Sequence, residues 1–166
     1  VVPAAVALLP PELRRDLVIA QQCRPEDLEA ARAAYAAIGQ EVELATFFED
    51  VPARMAAADL VLARAGASTI AELLALARPA LLVPFAAAAE DHQTANARAL
   101  AEVGAAVLLA QAEASPPVLA AQLIALLGDP DRRARMAAAA AGLARPDAAA
   151  RIADALEELA RGGPPT

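Results

Sequence analysis

Lysine and tryptophan are absent from this chain, and cysteine, histidine and tyrosine occur once each. The single Cys23 excludes an internal disulfide framework and any multi-cysteine metal site. His92 stands without a second histidine or a neighbouring cysteine, so the companions that a zinc site needs are missing. Aromatic residues make up only 2% of the sequence. Apolar runs are broken by Pro, Arg or Glu before they reach the ~18–20 residues of a membrane-spanning helix. The opening residues carry no basic leader, so no secretory signal is expected and a soluble, reducing, cytoplasmic setting is the default. Positive charge is also scarce: 14 Arg face 21 Asp and Glu, a formal net charge of -7. Nonspecific nucleic-acid binding wants a basic surface and is not expected.

What is present is apolar mass. The 166 residues are 58% hydrophobic, and nearly a third are alanine. That suffices for the core of one ordinary domain and is too much for a disordered chain. The excess of alanine and arginine is read as a compositional habit of the source genome, because no local feature requires it.

The pattern alternates short apolar runs with longer helical stretches. Residues 1–9 read as the tail of a helix stopped by Pro10-Pro11, and 16–20 as a β-branched buried strand. A helix is expected over 25–38, with Pro at its first turn, acidic residues near its positive end and Gly39 past its end. Strands are expected at 42–47, 60–63, 79–84 and 105–109, with helices at 51–57, from the turn at 64–69 to about 76, and 91–103. Three further helices follow at 116–127, 130–143 and 146–161, and then a disordered tail at 162–166. Strands alternating with helices, with continuous apolar strands, specify an α/β fold: a Rossmann-like parallel sheet with helices on both faces. Ligands of such sheets bind at the carboxyl ends of the strands.

Three loops there carry candidate chemistry. In the first, a strand ends at Ala63 and a helix begins within a few residues of Arg64-Ala-Gly-Ala-Ser-Thr69. Gly66 frees the backbone to turn and to approach a ligand, and Ala67, Ser68 and Thr69 offer amides at a helix N-terminus, an anion site by geometry. Arg64 can complement a diphosphate. The competing reading is a capping box, Thr69-x-x-Glu72. In the second loop, His92, Gln93 and Asn96 open a helix after residues 83–90. Gln93 suits sugar hydroxyls. Alternatively Asp91 caps the helix and the rest is solvated surface; His92 is a base, a ligand contact or merely exposed. The third holds Phe47 and Phe48 directly after a strand, able to pack on a flat ring or in the core, with core the better reading for at least one. Gln21, Gln22 and Cys23 follow the first strand, and Cys23, with no basic partner, is read as inert.

Taken in order, these stretches resemble the C-terminal, donor-binding half of the MurG-type glycosyltransferases, of the GT-B architecture. The resemblance covers nearly the whole chain. It is carried by Phe47-Phe-Glu-Asp50, Ala58-Asp59, Arg64-Ala-Gly-Ala-Ser-Thr-Ile-Ala-Glu72, residues 79–84 and Asp91-His-Gln-Thr-Ala-Asn-Ala97. It implies an inverting transfer, without metal or cofactor, of N-acetylglucosamine from UDP-N-acetylglucosamine to a lipid-linked muramyl-pentapeptide in bacterial peptidoglycan synthesis. By the same resemblance, Phe47 and Phe48 belong to the uracil loop and residues 65–69 face the donor diphosphate. Glu72 grips the ribose hydroxyls, and Gln93, with His92 before it, contacts the sugar. Ala20 and Cys23 depart from the family's His-Gln-x-Gly.

The resemblance also implies that residues 1–161 are a donor domain that starts inside the helix after the family's first strand. The acceptor half, with the catalytic base and the patch that seats the enzyme on the cytoplasmic face of the inner membrane, would lie elsewhere. No residue here is then the base, the chain alone is expected to be inactive, and an open sheet edge is expected to promote self-association. Two other readings stay open: a donor subunit completed in trans by a membrane subunit, and a nonenzymatic interaction domain.

Overall fold

Pairing between short segments of like direction organises the chain. The computed structural model describes residues 1–85, 91–145 and 147–161. Within them lie the strands β1 (Ala20–Gln22), β2 (Glu43–Ala45), β3 (Val61–Ala63), β4 (Ala80–Leu82) and β5 (Ala106–Leu108). All pairings are parallel. β1 pairs with β2, Gln21 opposite Leu44; β3, β4 and β5 follow in that order, with Leu62, Leu81 and Val107 in one row. Among the described residues no ladder joins the two sheets.

The helices are α1 (Val2–Val6), α2 (Pro11–Arg15), α3 (Leu28–Ala37), α4 (Val51–Ala57), α5 (Ala67–Ala75), α6 (His92–Glu102), α7 (Pro116–Leu127), α8 (Pro130–Leu143) and α9 (Ala148–Ala160). Three of these, α4, α7 and α8, have the bounds the sequence predicts, and each has a proline in its first turn. Asp129 also accepts the Arg132 amide at 2.7 Å as the cap of α8.

The central strand shows why the fold is layered. Ala80, Leu81 and Leu82 are all fully buried. Successive side chains of a strand point to opposite faces. Leu81 joins a core with Tyr35 of α3, Ala5 and Val6 of α1 and Leu119, Leu123 and Leu126 of α7. Ala80 and Leu82 join another with Met55 of α4, Leu73 of α5 and Ala97 and Leu100 of α6. Helices therefore cover both faces, as expected. The first core also takes in Leu44 of β2 and Leu62 of β3, so one apolar layer runs under both sheets.

Several local expectations are corrected. The first strand forms at 20–22, not 16–20, and Val18 is 97% exposed. Pro11 starts α2 where the proline pair reads as a stop. The helix expected over 25–38 opens as a 3-10 turn, Pro25–Asp27, before α3. The expected tail at 162–166 and the start of the last helix at 146 lie outside the described residues. No described helix is long and apolar enough to cross a membrane.

Candidate functional site

Parallel strands deliver all their following loops to one edge of the sheet, and the candidate residues lie on those loops. After β3 the chain turns at Gly66 into α5. The first backbone bond of that helix runs from the Ile70 amide to the Gly66 carbonyl at 2.9 Å. The amides of Ala67, Ser68 and Thr69 thus occupy the first three helical positions, which have no carbonyl within the helix. No side chain caps this end. Thr69 and Glu72 are therefore not a capping box, because the cap position is Gly66 and both residues lie inside α5. The Glu72 carboxylate has no partner among the described residues, and a lone carboxylate one turn in from three bare amides is a hydrogen-bond acceptor set beside a donor cluster.

Gly66 itself has φ -65° and ψ 151°, a conformation open to any residue, so the turn does not require glycine. A Cβ at that position would meet nothing within 4 Å, so the bare backbone borders open space.

Two side chains hold this turn in place. Asn96 of α6 donates through Nδ2 to the carbonyl of Ala65 at 3.1 Å, and Ala65 is wholly buried. Arg64 reaches sideways across the sheet. Its Nη1 donates to the carbonyls of Val83 and Pro84 at 3.0 and 3.2 Å and to Gln111 Oε1 at 2.7 Å. Its guanidinium carbon lies 5.5 Å from the centre of the Phe85 ring. Arg64 thus braces the segments that follow β4 and β5. The positioning roles of Asn96 and Gln111 were not apparent from the sequence. The i, i+4 spacing of His92 and Asn96 marks a shared face, but only the fold brings Ala65 under it.

After β4 the structure describes Phe85 and resumes at Asp91. Asp91 precedes α6 with φ 54° and makes no side-chain cap bond, so it does not cap the helix as the alternative reading held. Gln93 accepts the Phe85 amide on Oε1 at 3.0 Å, which leaves the donors of its amide nitrogen unused by that bond. His92 is exposed and has a partner. Beside these residues a cleft of about 180 Å³ is lined by Pro84, Asp91, Thr94, Leu108 and Gln111.

The loop after β2 separates the two phenylalanines. Phe48 is buried and Phe47 is 70% exposed. The exposed Phe47 leaves a flat apolar face open on this loop. Arg54 of α4 lies 4.0 Å from the centre of the Phe48 ring. It donates through Nε to Asp50 at 2.6 Å and, in a forked pair, to Glu43 at 2.6 and 2.8 Å. The Arg54 bonds hold the carboxyls of Glu43 and Asp50 below the usual carboxylate range. Behind β1 the buried Tyr35 donates its hydroxyl to Gln21 Oε1 at 2.7 Å. Burial, with Cys23 nearby, pushes Tyr35 up to about 12. Among the described residues no group of three or more His, Cys, Asp or Glu is placed to hold a metal ion.

The family model for the glycosyltransferase family 28 C-terminal domain matches residues 1–152. The chain belongs to that family. Its relatives include the UDP-N-acetylglucosamine-N-acetylmuramyl-(pentapeptide) pyrophosphoryl-undecaprenol N-acetylglucosamine transferases of Rhodospirillum centenum and Rhodospirillum rubrum. The first is 54% identical over 94% of this chain, the second 52% over 96%, and the chain spans 41% of each. Among solved structures, MurG of Acinetobacter baumannii superposes with a TM-score of 0.83 at 34% identity, over 95% of this chain and 44% of that one. The glycosyltransferase VinC, solved with dTDP, gives 0.66 at 20% identity, over 97% of this chain and 37% of that one, and shares the fold. The fold expected from the MurG-type resemblance, the C-terminal domain of a GT-B glycosyltransferase, is the one observed.

Proposed function

We propose that this family 28 domain binds UDP-N-acetylglucosamine for transfer of the sugar to lipid-linked muramyl-pentapeptide, the step that makes lipid II from lipid I in peptidoglycan synthesis. The reading rests on one observation: the N-terminus of α5, uncapped by any side chain, with Glu72 in its second turn free of partners among the described residues, on the ligand edge of a parallel sheet. The relatives' names supply the substrates. The diphosphate sits on the amides of Ala67, Ser68 and Thr69, where the helix adds the equivalent of roughly half a positive charge. Glu72 accepts from the ribose hydroxyls. The uracil lies at the Phe47 loop, against the exposed Phe47 ring and not the buried Phe48 ring, and Gln93 with His92 meets the sugar. Gly66 lets the ligand close on the backbone, and Arg64 holds the loops around it.

In transfer, the acceptor hydroxyl attacks the anomeric carbon as the bond to UDP breaks, and negative charge grows on the leaving phosphate. Fixed amide dipoles stabilise that charge without reorganising, and one such donor is typically worth about 3–4 kcal/mol of barrier. On this reading the acceptor's proton goes to a base supplied by the part of the enzyme that holds the lipid-linked acceptor, not by the donor-binding residues named above.

Calorimetric titration of the chain with UDP and 2′-deoxy-UDP tests this. Glu72→Ala should weaken UDP about tenfold or more, as expected for a charged hydrogen-bonding partner, and abolish the preference over the deoxy analogue. Equal binding of UDP by the wild type and the Glu72→Ala variant would overturn the assignment.

A further inference from the structure

The Phe47 loop has a feature that the donor reading does not use. Residues 46–50 connect β2 to α4 and contain no proline to stiffen them. At the end of the loop Asp50 stands at the cap position of α4, where an aspartate would ordinarily take an amide of the first turn. It makes no such bond. Its carboxylate is turned to the Nε of Arg54, one turn further on, at 2.6 Å. The other edge of the same guanidinium holds Glu43 at the start of β2 in a forked pair, and its flat face covers Phe48 at 4.0 Å. One side chain is thus fastened to the strand before the loop, to a ring within it and to the carboxylate that ends it. A planar group with donors on both edges can do this, and a lysine ammonium cannot.

The geometry points to Arg54 as a positioning residue for nucleobase binding. By fixing Phe48 inward it holds Phe47, 70% exposed, outward as the flat face that a uracil ring meets. This inference rests on the donor reading above. Without the clamp, the loop and both rings would have to be ordered by the ligand, which lowers affinity for the base without touching the phosphate site.

The test titrates the full chain with UDP and with ADP, for the wild type, Arg54→Ala, Arg54→Lys, Glu43→Gln, Phe47→Ala and the double variant Phe47→Ala/Arg54→Ala. We expect Arg54→Ala to weaken UDP about tenfold, the effect of re-ordering one or two side chains on binding, and ADP far less. Arg54→Lys should fail to restore the preference, and the double variant should be no weaker than Phe47→Ala. Amide hydrogen exchange at 46–50 should quicken in step. A wild-type UDP-over-ADP ratio in Arg54→Ala, with the ratio lost in Phe47→Ala, would overturn the role of Arg54 and leave the loop's function standing. An equal loss for both nucleotides would reduce Arg54 to a structural part. Unchanged UDP affinity in Phe47→Ala would sink the nucleobase reading of the loop and this inference with it. Should Arg54→Ala not fold, judged by its circular dichroism, Glu43→Gln and Arg54→Lys carry the same ratio test.

Discussion

Replacing Asn96 by alanine should unsettle the diphosphate turn from a position on a different helix. The Ala65 carbonyl is buried, and Nδ2 of Asn96 donates to it at 3.1 Å. Alanine leaves that oxygen without its donor in a place water does not reach. An orphaned buried acceptor costs about 1–3 kcal/mol. For a chain of this size each kcal/mol lowers the melting temperature by roughly 2–4 °C. Asn96→Asp should be worse near neutral pH, since a carboxylate would face the carbonyl oxygen, and should recover in part on acidification, as the protonated acid can donate again. Urea denaturation followed by circular dichroism measures the stability, and UDP calorimetry measures the site. Because Ala65 precedes Gly66, the loss should appear in both, with UDP affinity falling alongside the denaturation midpoint. A wild-type midpoint in Asn96→Ala would mean that the Ala65 carbonyl is satisfied in some other way, and the argument that α6 braces this turn would fail.

Two more outcomes follow from single residues. Ala77, just past α5, has φ 51°, a left-handed conformation that costs a non-glycine residue about 1–2 kcal/mol. Ala77→Gly should therefore raise stability by several tenths of a kcal/mol, net of glycine's greater freedom in the unfolded chain, and a lower denaturation midpoint would refute this. Tyr35 is the only tyrosine and there is no tryptophan, so absorbance near 295 nm follows its ionisation alone. Its value is raised from 10.0 to about 12 in the fold, so the stabilisation is complete below pH 10 and is lost as pH climbs toward 12. Stability should fall by up to about 1.4 kcal/mol per pH unit in that window, and a tyrosine titrating freely at 10 in the folded chain would contradict it.

The parts of the fold visible in the sequence are those set by local chemistry. Prolines in the first turn mark α4, α7 and α8, and Gly39 and Gly104, at φ 64° and 77°, mark the ends of α3 and α6. The first strand was displaced because β-branching at Val18 and Ile19 reads as strand, whereas position is decided by pairing. The register runs from Ala20 opposite Glu43 to Gln22 opposite Ala45, and of the β-branched pair only Ile19 reaches β2, through its carbonyl, which accepts the Glu43 amide at 2.9 Å. The site divides in the same way. Gly66 to Glu72 was legible as a strand-to-helix turn, but which residue capped it was not, since Thr69 satisfies the local pattern as well as Gly66 does. The reach of Arg64 to Gln111 and the bond from Asn96 to Ala65 span 47 and 31 residues, and no local pattern records a contact of that separation. The phenylalanine that turns inward is the one under Arg54, a residue that by itself reads as one more charge on a helix.

The last helix obeys a different rule from the rest. Ile152, Leu156 and Leu159 of α9 form a stripe at helical spacing, each more than half exposed, and none of the described α9 side chains belongs to either core. A lone helix of 13 residues is near the limit of persistence in water. The domain's apolar burial is therefore concentrated before α9, and truncating Ile152 or Leu156 should cost far less stability than truncating Leu81 or Leu126, which are fully buried.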